Sequence, residues 1–518
     1  MESEESLSDL LFVAAIILLL ALPWLNPFAP GPSPAVAPFL FSWCCVAASW
    51  GLAMSNPPSA KRIAFIAGWS WLIAGFISSS LGLLQYFGVA AEFNPWINQT
   101  GYGEAFANLR QRNQFASLTN IALVTLVWMV QQYLKRSGES KSHYLGMAMV
   151  TAGLLAVGNA ISSSRTGLFQ LLLICILSGV WGGWRRVWIR RILIGASVAY
   201  AAALFAMPYL AGLDVFAHGA LSRMRQDEAC GSRLILWSNV LQLIAERPWL
   251  GWGWGELDYA HYITLYQGTR FCDILDNAHN LPLHLAVELG IPVALLVCGG
   301  FTWWVLRQRP WLEADPTRQL AWSVLAVILL HSMLEYPLWY GPFQMAFWIC
   351  IGLLWRPALV SGEASHGGKN ALNGPVERIL KASLAIILIA VTAFAAWDYN
   401  RISQIYLAPE ARDAAYRNNT LEKISKSWFF DNQLRFAQLL VTPLTAKNAE
   451  WTFNTATVLL HYSPEPRVIE KIIESAVLLK RDTAALEQML RYRAAFPLEY
   501  SKWAIANAKV ASALGALK

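Results

Sequence analysis

The run Asp276-Asn277-Ala278-His279-Asn280 is the stretch of this chain best suited to proton chemistry. It lies at the edge of a long apolar segment that starts at Leu281. Histidine titrates nearest to neutral pH, so it can take or give a proton without a large perturbation. The residues alone leave two uses open. Asp276 or an Asn can cap a helix, or His279 can act as a general base. Arginines form the second group: Arg110, Arg112, Arg165 and Arg233. Their planar donor forks suit phosphate oxygens, and the competing use is a snorkelling anchor at a membrane edge. His331 and Glu335 are four apart, a spacing that shares one helix face.

Other chemistries fit poorly. The histidines show no HExxH spacing and no Cys/His cluster, so no metal site is expected. No G-x-S-x-G elbow is present, and Ser162–Ser164 have no local base. Gly251, Gly253 and Gly255 alternate with Trp but follow no strand, which argues against a nucleotide loop. That run reads as an interfacial loop anchored by Trp252 and Trp254.

The elements that hold these residues are apolar. The chain has 518 residues, 56% hydrophobic and 14% charged, which fits an all-α polytopic membrane protein. Eleven apolar runs are long enough to be spans: Leu10–Phe28, Ala37–Met54, Ile63–Phe87, Phe115–Leu134, Tyr144–Ile161, Gly167–Trp184, Ile192–Leu210, Leu281–Leu306, Leu320–Met333, Phe343–Trp355 and Ala382–Trp397. The acidic start, Met1 to Asp9, lacks the basic region of a signal peptide, so the first run is expected to be retained. With the N-terminus inside, sixteen Lys and Arg fall on cytoplasmic connections and three on the short outer ones. That asymmetry sets the orientation. It also assigns the net charge of +7 to loop bias, not to nucleic-acid binding. The three outer exceptions are Arg110, Arg112 and Arg165, and each falls in a polar motif.

The outer face then collects four motifs: residues 107–114, residues 162–166, the loop 211–280 and residues 331–340. Ser361–Asn373 reads as a linker. From Asp398 the chain becomes polar and Ala-rich, with helical spacing at Val468, Ile472, Ile473 and Ala476. The expected division is residues 1–397 as a membrane domain and 398–518 as an outer domain of paired, tetratricopeptide-like helices. Cys230 and Cys272 bracket the outer loop, where an oxidising compartment favours a disulfide; two free thiols are the other reading.

The ordered motifs carry a resemblance. Gln111-Arg112-Asn113-Gln114-Phe115-Ala116, Ser163-Ser164-Arg165-Thr166-Gly167, Arg233 with Trp237, Pro248-Trp249-Leu250-Gly251-Trp252-Gly253, the Asp276–Asn280 run, and His331 through Tyr336-Pro337-Leu338 resemble the bacterial O-antigen ligase and O-oligosaccharyltransferase superfamily. Within it the chain looks most like the PglL-type protein O-glycosylation ligases that act on pilins. Arg112 departs from the Pro of some relatives. The resemblance implies transfer of a glycan, preassembled on undecaprenyl diphosphate, to a hydroxyl of a periplasmic protein, with no cofactor or metal. It implies a site at the periplasmic face of the bacterial inner membrane. His279, Arg233, Tyr336 and Gln111 would be catalytic. Arg165, Arg112, Asn113, Asn277, Asn280, Glu335 and His331 would bind diphosphate or glycan, with His331 and Glu335 also able to support Tyr336. An O-antigen ligase acting on lipid A core and an O-antigen polymerase share this donor chemistry. A transporter or flippase fits less well, because the polar groups gather at one interface and no internal repeat is visible.

Overall fold

The computed structural model describes residues 7–55, 58–136, 142–214, 230–355 and 375–507. The expected linker Ser361–Asn373 and residues 215–229 of the expected outer loop lie outside the described residues. Among the described residues every regular element is helical. In chain order these include α1 (Leu7–Leu25), α2 (Val36–Ser55), α3 (Ala60–Tyr86), α4 (Arg112–Arg136), α5 (Ser142–Ile161), α6 (Arg165–Val180) and α7 (Val187–Leu210). Then come α8 (Arg233–Glu246), α9 (Leu257–Ile263), α10 (Leu281–Leu289), α11 (Ile291–Ala294), α12 (Gly300–Gln308), α13 (Pro316–Ser332), α14 (Gly341–Trp355) and α15 (Pro375–Ser403). The short α16 (Thr420–Lys423) leads to α17 (Asp431–Val441), α18 (Ala449–Leu459), α19 (Pro466–Leu478), α20 (Asp482–Ala495) and α21 (Pro497–Ala506).

Among the described residues, eight helical stretches are long and apolar enough to cross a membrane, and α6 and α14 are shorter apolar helices. The protein is an all-α, multi-pass membrane protein, as its composition predicts. Each of the eleven expected runs falls on a helix, with one correction. The run expected as a single span over Leu281–Leu306 is broken at Gly290, whose φ is +86°. A Cβ at Gly290 would sit 2.1 Å from the carbonyl oxygen of Trp249, so only glycine fits this break. The membrane-length stretch begins at Ile291 and includes a π turn, Leu295–Gly299. The nine-residue α10 precedes it as a separate helix.

The chain divides into two compact units. The first comprises residues 1–226 and 305–396, and the second comprises 227–304 and 397–518. The cut at 396/397 falls one residue from the expected domain boundary. Residues 227–304, however, group with the C-terminal segment and not with the membrane helices.

In the first unit α3 packs on α1, α4 and α5, while α4 packs on α6 and α13. Small residues permit the close approach: a Cβ at Gly75 of α3 would lie 2.4 Å from Ala122 Cβ of α4. Phe115, Leu118 and Ile121 of α4 are fully buried.

In the second unit Leu236, Val240 and Leu243 of α8, Leu257 and Ala260 of α9, and Val287 of α10 share one core. A second core unites α17 to α21, with Val468, Ile472, Ile473 and Ala476 all buried at the expected helical spacing. Tyr262 of α9 belongs to that second core, and its hydroxyl donates to Gln488 Oε1 at 2.7 Å. This shared residue is why the outer-loop segment belongs with the C-terminal helices. Cys230 and Cys272 are disulfide-bonded, with Cα atoms 5.4 Å apart.

Candidate active site

The first unit brings three of the four polar motifs together. Gln85, an amide buried near the end of α3, accepts from the backbone N–H groups of Phe106 and Ala107 and donates to the Ala107 carbonyl. Asn108 donates to the carbonyls of Leu25 and Trp96. These two amides fix the turn that launches α4. At the start of α4, Gln111 Nε2 and Asn113 Nδ2 both donate to the buried carboxylate of Glu335, at 3.3 and 3.0 Å. Asn113 Oδ1 accepts from Ser164 Oγ at 2.6 Å. Ser164 Oγ in turn caps α6 by accepting from Gly167 N. One turn deeper, Ser117 Oγ lies 2.9 Å from His331 Nδ1 and accepts from Gln170 Nε2 at 2.7 Å.

The remaining expected residues of this unit are placed differently. Arg112 is ion-paired with Glu104, outside the Glu335 cluster. Arg165 is exposed at the first position of α6, just after its serine cap. Tyr336 is half-buried and stacked on Tyr340, ring centroids 5.8 Å apart. The shared helix face expected for His331 and Glu335 is corrected, because α13 ends at Ser332. His331 is turned into the bundle toward Ser117, whereas Glu335 reaches the amides of Gln111 and Asn113.

The second unit holds the Asp276–Asn280 run as a pinned turn. Asn280 is the cap: its side chain accepts from Leu283 N at 3.1 Å and starts α10. Asp276 is exposed. Asn277 Oδ1 accepts from the backbone N–H of His279 at 2.9 Å. His279 has a φ of +50°, a left-handed conformation that costs a non-glycine residue energy unless its surroundings impose it. The surroundings do so by holding the two peptide groups that flank Ala278. Ala278 N donates to His284 Nδ1 at 3.5 Å, and Ala278 O accepts from Trp237 Nε1 at 3.1 Å. Trp237 lies one turn along α8 from Arg233, on the same face. Arg233 opens α8 directly after its cap, Ser232, which accepts from Ile235 N.

Beneath the turn, His284 Nε2 lies 3.3 Å from Glu288 Oε2, and Glu288 is 1% exposed. Burial lowers the His284 imidazole to about 4, helped by the nearby His279, and raises the Glu288 carboxyl to about 7. Both groups are therefore biased toward their neutral forms. The Trp-Gly run wraps the end of α10. Trp252 N and Gly253 N donate to the carbonyls of Val287 and Glu288, each at 2.9 Å, which satisfies groups a helix end leaves unpaired. A Cβ at Gly251, whose φ is +69°, would meet the Glu288 carbonyl at 2.4 Å, so glycine is required there too. The expectation that Trp252 anchors the loop at an interface is corrected. Its indole donates inward to Leu243 O, and Arg247 covers its ring at 3.9 Å. The exposed large apolar side chains of this loop are Trp249, Leu250 and Trp254.

Several contributors escape a sequence reading. Gln85 and Gln170 are buried amides within apolar helices, and a polar group in such a run is itself a signal. Glu104, Ser117, His284 and Glu288 acquire their roles only from tertiary partners. Among the described residues no three His, Cys, Asp or Glu side chains are grouped so as to hold a metal ion.

The fold and these two polar clusters define a multi-pass helical membrane protein with a buried amide–carboxylate cluster and a constrained histidine turn. Residues 150–298 match the family described as O-Antigen ligase. Residues 105–130 match Protein glycosylation ligase, and residues 319–511 match Virulence factor membrane-bound polymerase, C-terminal. Among curated proteins, the chain is 22% identical to the ComP-specific O-oligosaccharyltransferase of Acinetobacter baylyi, over 83% of this chain and 74% of that protein. It is 22% identical to the General O-oligosaccharyltransferase of the same organism, over 69% of this chain and 60% of that protein. It is 26% identical to the O-antigen ligase of Pseudomonas aeruginosa, over 46% of this chain and 51% of that protein. Matches of these kinds along most of the chain make it similar to O-antigen ligases and protein O-oligosaccharyltransferases, and they support a ligase-type enzyme of the glycosyltransferase class.

Proposed function

We propose that this chain is an O-linked oligosaccharyltransferase. It moves a preassembled glycan en bloc from undecaprenyl diphosphate to a Ser or Thr hydroxyl of a periplasmic protein such as a pilin. The observation that carries this reading is the pinned turn. A titratable His279 is held in a strained conformation, and the indole that pins it lies one helical turn from Arg233. The match of residues 105–130 to Protein glycosylation ligase, with the ComP-specific relative, favours a protein acceptor. The charge asymmetry of the loops supports a cytoplasmic N-terminus in a bacterial inner membrane, with the transfer chemistry and the C-terminal helices periplasmic.

In this mechanism His279 accepts the hydroxyl proton while the acceptor oxygen attacks the anomeric carbon. The bond from that carbon to the phosphate oxygen breaks, and undecaprenyl diphosphate leaves with the electron pair. Arg233 and Arg165 bind the diphosphate and offset its growing charge. A cation at the first position of a helix opposes the macrodipole, so both arginines are better placed beside an anion than without one. Gln111, Asn113 and Tyr336 position sugar or acceptor, with Glu335 orienting the two amides. No metal or nucleotide takes part.

The test is reconstitution of the purified protein with undecaprenyl-diphosphate-linked glycan, without metal or nucleotide. A pilin and lipid A core are offered as separate acceptors. A gain of one glycan mass on the pilin is the expected result. Transfer to lipid A core alone would make the protein an O-antigen ligase, a reading favoured by the match over residues 150–298. Lengthening of the glycan on its own lipid would make it a polymerase.

A further inference from the structure

We infer that His284, backed by Glu288 and opposed by Trp237, is a positioning device that sets the orientation of His279 by clamping Ala278 between its two flanking peptide groups. The inference rests on the reading of His279 as the base. Ala278 is 0% exposed, so water cannot serve its amide hydrogen or its carbonyl oxygen. The N–H has His284 Nδ1 as its acceptor at 3.5 Å, and the C=O has the Trp237 indole as its donor at 3.1 Å. The N–H belongs to the Asn277–Ala278 peptide and the C=O to the Ala278–His279 peptide, so the two bonds fix both peptide planes about Ala278. The second plane is also held at its other end, where His279 N donates to Asn277 Oδ1, and it leads directly into the φ of His279.

The tautomer of His284 follows from the same contacts. A ring that accepts at Nδ1 carries its one proton on Nε2 when neutral. Nε2 lies 3.3 Å from Glu288 Oε2, an ion-pair distance. Glu288 is itself held from behind, because the Trp-Gly loop closes over its main chain through Gly253 N. The ring of Trp254 stands edge-on to His284, with centroids 6.2 Å apart. A chain of fixed groups thus runs from the Trp-Gly loop through Glu288 and His284 to the turn that presents His279. It gives the Trp-Gly motif a purpose without placing it on the substrate.

Two amide substitutions separate the two ends of this ring. His284→Asn keeps an acceptor near the Nδ1 position and gives up the bond to Glu288. His284→Gln keeps a donor toward Glu288 and gives up the acceptor for Ala278. Both are measured in the reconstituted full-length protein, with kcat, KM for the lipid-linked donor, and amide exchange over residues 275–283. His284→Gln is expected to lower kcat by about 10–100-fold with donor KM unchanged, the scale that a misplacement near 1 Å produces. His284→Asn is expected to stay within about threefold of the parent. Exchange at Ala278 should be fast in His284→Gln and protected in the parent and His284→Asn. Equal kcat and equal exchange in the two variants would overturn the clamp, and so would parallel loss of both. The exchange result does not depend on turnover. A parent protein that transfers to no acceptor but shows this exchange pattern would reject the proposed function and keep the clamp.

Discussion

The two polar clusters of this protein use their side chains in opposite ways. In the membrane unit, Gln111, Asn113, Ser164 and Glu335 are bound to one another, as are Ser117, Gln170 and His331. In the turn, Trp237, Asn277, Asn280 and His284 bind backbone. The first arrangement satisfies polar groups where hydrocarbon surrounds the bundle and each unmet hydrogen bond is costly. The second spends its polar side chains on holding a main-chain shape, so that one half-buried imidazole is presented in a defined direction. The proposed chemical role of His279 agrees with its exposure: His331 is fully buried, and His279 is not.

The contrast is broken most directly by removing each histidine. His279→Ala should reduce glycan transfer by about 10²–10⁴-fold, the usual worth of a general base, with thermal stability unchanged. Intact-mass assay of the acceptor at matched protein amount checks the rate. His331→Ala should do the reverse, lowering the melting temperature first, because Ser117 then loses one of its two partners in a buried site and a cavity is left there. If His279→Ala were as active as the parent, the assignment of chemistry to the turn would fail.

Arg233→Lys sharpens the comparison at the other end of the turn. Lysine keeps the charge and the position at the start of α8 but cannot grip a diphosphate with two parallel donors. Transfer should fall by about 10–100-fold, corresponding to roughly 1.5–3 kcal/mol for the lost charge-assisted contact. Competition by a soluble undecaprenyl-diphosphate analogue would report the same loss as weaker inhibition. In the membrane cluster, Glu335→Ala strands the amides of Gln111 and Asn113. The expected cost is about 1–3 kcal/mol of stability, read as a lower melting temperature in detergent.

Much of this was legible from residue order. Apolar runs of membrane length located the helices because hydrocarbon thickness sets one dominant period. The break at Gly290 was hidden, since Leu281 to Leu289 is as apolar as the span that follows. Gly290 and Pro292 were the available signals for it. His279 stood out because a histidine beside amides and a carboxylate is conspicuous at the edge of an apolar segment. His284 and Glu288 did not, for they lie within an apolar helical stretch and become meaningful only when α8 and the Trp-Gly loop are folded around them. Arg112 has a partner that residue order hides. Its place in a polar motif suggested a phosphate ligand, and tertiary structure gave it Glu104.

The smallest effect concerns pH, and it tests whether His284 and Glu288 act as one unit. Glu288 is raised from its ordinary 4.5 to about 7, so the folded protein holds a proton that the unfolded chain releases. Its contribution is complete below about 4.5 and is lost as pH rises through about 7. His284 is lowered from 6.5 to about 4, so the unfolded chain binds the extra proton. Its contribution is complete above 6.5 and is lost as pH falls through about 4. Between pH 4.5 and 6.5 the two slopes oppose each other, and the pair should add almost no pH dependence to the melting temperature. Removing either member exposes the other. In Glu288→Gln stability should rise with pH across that window, and in His284→Asn it should fall, each by on the order of 2 kcal/mol. Melts of the two variants with slopes of the same sign would show that the groups titrate independently of their burial together. Opposite slopes would tie the histidine beneath the turn to the carboxyl that the Trp-Gly loop covers.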